Sequence, residues 1–397
     1  MSQSLEVACA AAGRAPSSHL GLDHGLISPS RLPESCTSLD SRERYLEAFK
    51  FRRADRLPFT EFLGSWAETL REWTKQGMPE RAFRAGLDDF FGFDKKEALP
   101  LDLGPIPRFV TRTMSEDSRY KLWKDGNGIV SRMLKTGESM PEFLDHPVKG
   151  EQDFEAIKRR YDPGDPSRLP KEWGDEELFE YYKDRDFLLY MSIPGFFGQP
   201  RNWLGLRRTL ISFVTREDLV RGMLDFWSDF VMKATERVLD QVTPDYVTIW
   251  EDMAYKNGPL ISPRSFEKLM LPCYQRVTGF LRSKGVKNIF VDCDGDVNLL
   301  LPLFVRGGVS GMYPLEVASN VDANEVSEEF GKRLILIGNA DKRKLAQGRK
   351  AIDGELERIR DVVLSNRLIP SVDHAVPPDV PYEDYLYYLD RLKAMVS

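Results

Sequence analysis

Cysteine and histidine are both scarce in these 397 residues, with four of each. Cys9, Cys36, Cys273 and Cys293 include no close pair, which excludes a CxxC metal site and a disulfide framework and points to a reducing cytoplasm. His19 and His24 fall in an unpatterned head, so only His146 and His374 can serve a site in the body of the chain. No apolar run approaches a bilayer span, and no membrane segment is expected. Residues 7–12 form a short apolar patch without a basic stretch before it, and Glu6 and Asp23 interrupt a head poor in arginine, so neither signal nor transit peptide is expected. Lysine and arginine never gather into a block, and 56 basic against 62 acidic residues leave a net charge of −6, which argues against a nucleic-acid partner. GxGxxG and Walker loops are missing, which counts against a dinucleotide or P-loop site.

What is present is enough for a large core: 42% of residues are hydrophobic and 11% aromatic. Residues 1–39, rich in Ala, Ser, Gly and Pro without a period, predict a disordered tail. Asp40 or Ser41 is placed to cap a helix running to about residue 51, and Leu57-Pro58-Phe59 predicts the entry to a first strand. Trp66 and Trp73, at helical spacing, are expected in the core. Around 100–150 the pattern changes: alternating segments flank Asp125-Gly126-Asn127-Gly128, predicting an antiparallel β-hairpin insertion. His146, beside Pro147, reads as loop structure. From residue 186 onward, apolar strands alternate with helices: strands near 187–191, 246–250, 288–291, 308–312, 333–337 and 368–370, helices over 203–213, 217–241, 262–283, 342–365 and 382–395.

Strands alternating with helices predict a parallel sheet, and without a phosphate loop the expected fold is an α/β (β/α)8 TIM barrel spanning 40–397. Polar residues recur past the strand ends: Glu251/Asp252, Asp292/Asp294, Glu316, Asn339/Asp341 and Asp373/His374. In a barrel those ends meet at one mouth, where catalytic groups sit. Converging carboxylates either bind a divalent cation (zinc or a harder ion), hold a polar substrate, or act as acid and base. The alternative is helix capping, with Asp294 or Asp296 serving the helix that contains 299–304. Capping is favoured for any one acid alone; recurrence after five strands favours a site. Cys293, between two acids, reads as packing, and Lys342-Arg343 as either an anion contact or an exposed first turn.

Five segments carry a resemblance: Ile249-Trp250-Glu251-Asp252-Met253-Ala254-Tyr255-Lys256, Val291-Asp292-Cys293-Asp294-Gly295-Asp296, Tyr313-Pro314-Leu315-Glu316, Ile337-Gly338-Asn339-Ala340-Asp341-Lys342-Arg343 and the run from Val372-Asp373-His374 to Val380. Over roughly 40–395 the chain resembles the uroporphyrinogen decarboxylase superfamily, TIM barrels that include corrinoid-dependent methyltransferases and, more distantly, cobalamin-independent methionine synthase. The decarboxylases hold their polycarboxylate with an arginine motif after the first strand. Here Phe59-Thr60-Glu61-Phe62 carries Glu61 and no arginine, which argues against uroporphyrinogen itself. The methyltransferases bind zinc through His-x-Cys and a later Cys. Asp292-x-Asp294 stands in that place, Glu316 follows 22 residues after Asp294, and Asp373-His374 lies where the last Cys falls. The resemblance thus implies a methyl-transferring enzyme working between a small methylated substrate and a corrinoid or folate-type carrier, with a corrinoid protein as partner. The alternatives are a decarboxylase and a non-catalytic ligand-binding barrel. It implies Asp292, Asp294, Glu316 and His374 as metal or substrate ligands, Glu251, Asp252, Asp341 and His374 as catalytic groups, and Glu61, Tyr313, Asn339 and Asp373 as substrate contacts.

Overall fold

Runs of five or six residues that are buried along their whole length, such as Tyr246–Trp250 and Ile335–Ala340, can only sit inside a sheet covered on both faces. The computed structural model describes residues 39–53, 55–135 and 140–397; the tail expected over 1–39 lies outside them apart from Leu39, as do His19, His24, Cys9 and Cys36. The strands are β1 (Lys96–Ala98), β2 (Arg112–Glu116), β3 (Tyr120–Lys124), β4 (Val130–Leu134), β5 (Glu142–Asp145), β6 (Leu188–Pro194) and β7 (Tyr246–Trp250). They continue with β8 (Ala254–Tyr255), β9 (Gly258–Pro259), β10 (Asn288–Asp292), β11 (Gly311–Tyr313), β12 (Ile335–Ala340) and β13 (Leu368–Val372). A seven-stranded parallel sheet runs in the order β1-β6-β7-β10-β11-β12-β13. A separate antiparallel sheet holds β2-β3-β4-β5 in the stretch where a hairpin is expected.

Local chemistry sets the helix ends. Asp40 caps Ser41–Ala48 through the Glu43 amide, with Glu43 returning the bond in a capping box. Glu217–Leu239 buries one apolar face, from which Trp227 Nε1 donates to the Pro194 carbonyl at the end of β6. Three expected helices are broken, the 203–213 segment at Gly205, between Gly198–Leu204 and Leu206–Thr215. The 262–283 segment contains a π turn at Phe266–Met270 between Pro263–Ser265 and Leu271–Ser283, because Pro272 has no N–H to continue the regular ladder. The 342–365 segment divides into Lys342–Leu345 and Arg349–Leu364 at Gly348, whose φ of +86° no helix accommodates. Trp73 is buried as expected, and its Nε1 donates to the Val380 carbonyl; Trp66 is half-buried at the start of its helix.

Residues 57–62 do not form the first strand the sequence predicts, yet they lie between the two edges of the parallel sheet. The Phe59 carbonyl accepts from the Asp94 amide, and Lys96 Nζ reaches the Glu61 and Phe62 carbonyls at 2.8 and 2.9 Å. On the other side the Glu61 side chain takes the Val372 amide at 3.4 Å, where a strand would offer a backbone carbonyl. Pro58, which cannot donate, adds to the irregularity.

Inside the sheet an aromatic layer fills the centre. Tyr246 stacks on Tyr190 and Phe290 with ring centroids 5.3 and 4.9 Å apart, and Phe62 meets Tyr313 edge-on at 4.6 Å. Gly311 makes room for this layer, since a Cβ there would sit 2.2 Å from the Phe290 ring. Gly311→Ala is therefore expected to destabilise the fold by about 1–3 kcal/mol, read from denaturant unfolding, as an overpacked core substitution does.

Candidate active site

All seven strands run the same way, so the residues just past β7, β10, β11, β12 and β13 share one end of the sheet. Three of the candidates at that end are fully occupied by the fold. Glu251 is buried, and its carboxylate accepts the Phe196, Phe197 and Gly198 amides and the Tyr274 hydroxyl. It closes the start of the helix Gly198–Leu204, a capping role across the fold that local sequence does not reveal. Its four donors leave no lone pair directed at a substrate, so the proton-transfer role expected for Glu251 is corrected. Asn339 likewise donates to the Leu315 and Val321 carbonyls and accepts from the Ala323 amide and Arg358, which removes it as a substrate contact. Asp341 caps Lys342–Leu345 and is gripped by the Arg343 amide and guanidinium, which removes it as a proton carrier.

A different set remains around β10. Asp292 follows Phe290 on the same face of the strand, so its carboxyl stands above the aromatic layer. Burial, then the charges of Asp294 and Asp252, push its pKa well above the usual carboxylate value. Asp252, held at a left-handed φ of 46°, is buried and pairs with Arg201 at 3.2 Å. Arg201 also donates to the Asp252 carbonyl at 2.9 Å and lies over the Trp250 ring at 4.8 Å. Burial and the neighbouring Asp294 raise Asp252 to about 6 in spite of that guanidinium.

Asp294 behaves in the opposite way. Burial opposes its charge, but the hydrogen bond and charge of His374, 3.4 Å away, and then Lys342, hold its pKa below the ordinary value. For His374 burial alone would lower the pKa; Asp294 reverses this and the net shift is upward. Asp294 does not cap the helix Leu301–Arg306, which starts without a side-chain cap of its own, but Asp296 accepts the Asn298 amide in the turn leading into it, in keeping with the capping alternative. Asp373 is fully buried and accepts the Val317 and Lys342 amides, tying β11 to β12; burial raises it to about 6. Tyr313 donates to Thr248 at 2.8 Å and forms part of the layer under Asp292. Cys293 is packed as expected, accepting from the Met253 amide, and burial raises its thiol well above the usual range.

The proposed metal quartet is not assembled. Glu316 turns to Lys342 at 2.9 Å and to the Gly295 amide, while Asp294 bonds His374 directly. Among the described residues no group of three or more His, Cys, Asp or Glu side chains is placed to hold a metal ion. Asp292, Asp294, Glu316 and His374 therefore do not fit a metal as a set. Glu61 also differs from expectation: it is 3% exposed, its Oε1 has no partner, and burial raises its pKa well above normal. Burial thus disfavours a negative charge there, which weakens the case that Glu61 makes against a polyanionic substrate. Lys96, buried beside it with its pKa lowered by desolvation, and Arg201, within a Gly/Pro segment, carry no sequence signal that marks them.

The family model described as Uroporphyrinogen decarboxylase (URO-D) matches residues 203–395. A curated uroporphyrinogen decarboxylase from Maricaulis maris (strain MCS10) is 23% identical over 128 residues, which cover 32% of this chain and 36% of that protein's length. Among solved structures, a methyltransferase from Methanosarcina mazei superposes with a TM-score of 0.58 at 15% identity, covering 90% of this chain and 99% of the other. A B12-independent methionine synthase from Shewanella sp. W3-18-1, in complex with selenomethionine, gives 0.40 at 11% identity, covering 80% and 86%, too loose to argue from. No helix among the described residues is long and apolar enough to cross a membrane.

Two measurements check the site's electrostatics. Removing the Glu251 carboxylate strands the amides it caps, so Glu251→Ala should lose about 3 kcal/mol or more of stability in chemical denaturation. Asp252 keeps its proton in the folded state above the pH at which the unfolded chain releases it, so its contribution falls as pH rises from 3.8 to about 6. Asp373 adds a loss of the same sign over the same window. Asp252→Asn should flatten the decline measured between pH 4 and pH 7 by on the order of 2 kcal/mol.

Proposed function

We propose that this chain, matched over residues 203–395 by the uroporphyrinogen decarboxylase family model, is a methyl-transferring enzyme of that superfamily whose proton donor is Asp292. The seven-stranded sheet, with residues 57–62 between its edges, is read as a (β/α)8 barrel, and its substrate as a small methylated molecule. The carrier is corrinoid- or folate-type, delivered in the corrinoid case by a partner protein. One feature supports this reading above the others: a carboxyl whose pKa is pushed well above the usual range at the strand ends, next to the Asp294–His374 pair, where the acid is shifted down and the imidazole up. Environments that push neighbouring groups apart in this way are how one site carries both an acid and a base.

The chemistry follows from that contrast. When a methyl group leaves an oxygen or nitrogen, the bonding electron pair stays on the heteroatom, which then needs a proton. Asp292 supplies it and becomes a carboxylate, while the methyl carbon passes to the nucleophile of the carrier. Arg201 and Lys342 limit the repulsion that the new charge meets from Asp252, Asp294 and Glu316. Tyr313 and Tyr190 line the floor against which an apolar methyl group packs.

The second reading, a decarboxylase, draws on the same neutral acid, which would protonate the carbanion left by departing carbon dioxide. The family match and the neutral Glu61 keep it in play. A panel of methylated donors assayed spectroscopically with cobalamin and with a folate acceptor separates the two. Methyl transfer is expected, with Asp292→Asn lowering kcat by about 10²–10⁴-fold. An acid must hold its proton to act, so the wild-type rate should fall with rising pH, and that limb should be missing in the variant. Carbon dioxide release without methyl transfer would move the assignment to the decarboxylase. Wild-type turnover in Asp292→Asn would remove Asp292 from the chemistry.

A further inference from the structure

A basic groove lies on the antiparallel sheet, away from the strand-end acids. Arg108, Phe109, Val110, Arg112, Lys124 and Arg160 line a space of about 320 Å³, with four cations and no acid among them. In a chain of net charge −6 that concentration needs a physical cause. Arg108 is neutralised by Asp102 at 2.7 Å and held by Asn127. No ion pair is present for Arg112, Lys124 or Arg160 among the described residues.

The strand register sharpens the point. Arg112 of β2 and Lys124 of β3 are direct cross-strand partners, a juxtaposition of like charges that destabilises a sheet. The Phe109 ring partly offsets it, with Arg160 4.3 Å and Lys124 Nζ 4.9 Å from its centroid. Gly128, at φ +86°, lets that ring lie flat, since a Cβ there would stand 2.9 Å from it. A bound anion would relieve the remaining repulsion. Guanidinium forks match phosphate oxygens in pairs, and the volume suits a small molecule at the low end of the ligand-site range of about 300–1,000 Å³.

We propose that this groove binds a small diphosphate-bearing anion at a site independent of the acids around Asp292. Free pyrophosphate and a nucleoside diphosphate share that chemistry. Calorimetric titration of the full chain with pyrophosphate and with ADP tests the proposal and separates the two sources. Saturable binding is expected, weakening as salt is added, unchanged in Asp292→Asn, and weaker by about tenfold or more in Arg112→Ala/Lys124→Ala. Tighter binding of ADP would assign a nucleotide, with Phe109 and Val110 as its apolar wall; equal or tighter binding of pyrophosphate would assign the free anion. Unchanged melting temperature shows that the double variant folds, and should it not, Arg112→Glu, at an exposed strand position, carries the same expectation. Absence of saturable binding to either probe, equal affinity in the groove variants, or loss of binding in Asp292→Asn would overturn the proposal.

Discussion

Carboxylates that gather at one end of a parallel sheet repel one another and resist losing water, and the rest of this site follows from how that problem is resolved. Three solutions operate side by side. Glu251, Asp341 and Asp373 turn their oxygens to backbone amides and so help hold the strand ends together. Asp294, Glu316 and Asp252 take cationic partners in His374, Lys342 and Arg201. Asp292, with no ion pair among the described residues, is left with a pKa well above the usual carboxylate value, which favours its protonated form.

These solutions depend on each other. Burial first, and then the charges of Asp294 and Asp252, raise the pKa of Asp292, while His374 and Lys342 hold that of Asp294 down. Lys342 is delivered by the short helix that Asp341 caps, and its amide is fixed by Asp373. Arg201 is delivered by the helix whose start Glu251 closes. The acids that carry no chemistry thus place the cations that tune the acids that do.

Much of the frame was legible in the sequence. The buried strands and the spacing of helices between them follow from apolar periodicity, and the recurrence of acids past strand ends pointed to that end of the sheet. What was not legible is which acid does what, because that depends on partners far away in the chain. Glu251 looked uncommitted, since the nearest following helix cap is Ser262, yet it closes a helix more than fifty positions earlier. Glu61 looked like an acid facing the substrate and is a buried side chain standing in for a ladder contact. The break at Gly348 was readable in principle from its residue type. The π turn before Pro272 requires knowing that the helix continues on both sides.

The account turns on the protonation state of one carboxyl. Infrared spectra of the protein carrying ¹³C-labelled aspartate, compared with Asp292→Asn, read it directly through the carbonyl stretch of a neutral acid. At neutral pH the wild type should show an isotope-shifted band of a protonated carboxyl that the variant lacks. Spectra with no such band, and an ionised carboxylate at Asp292 instead, would contradict the account.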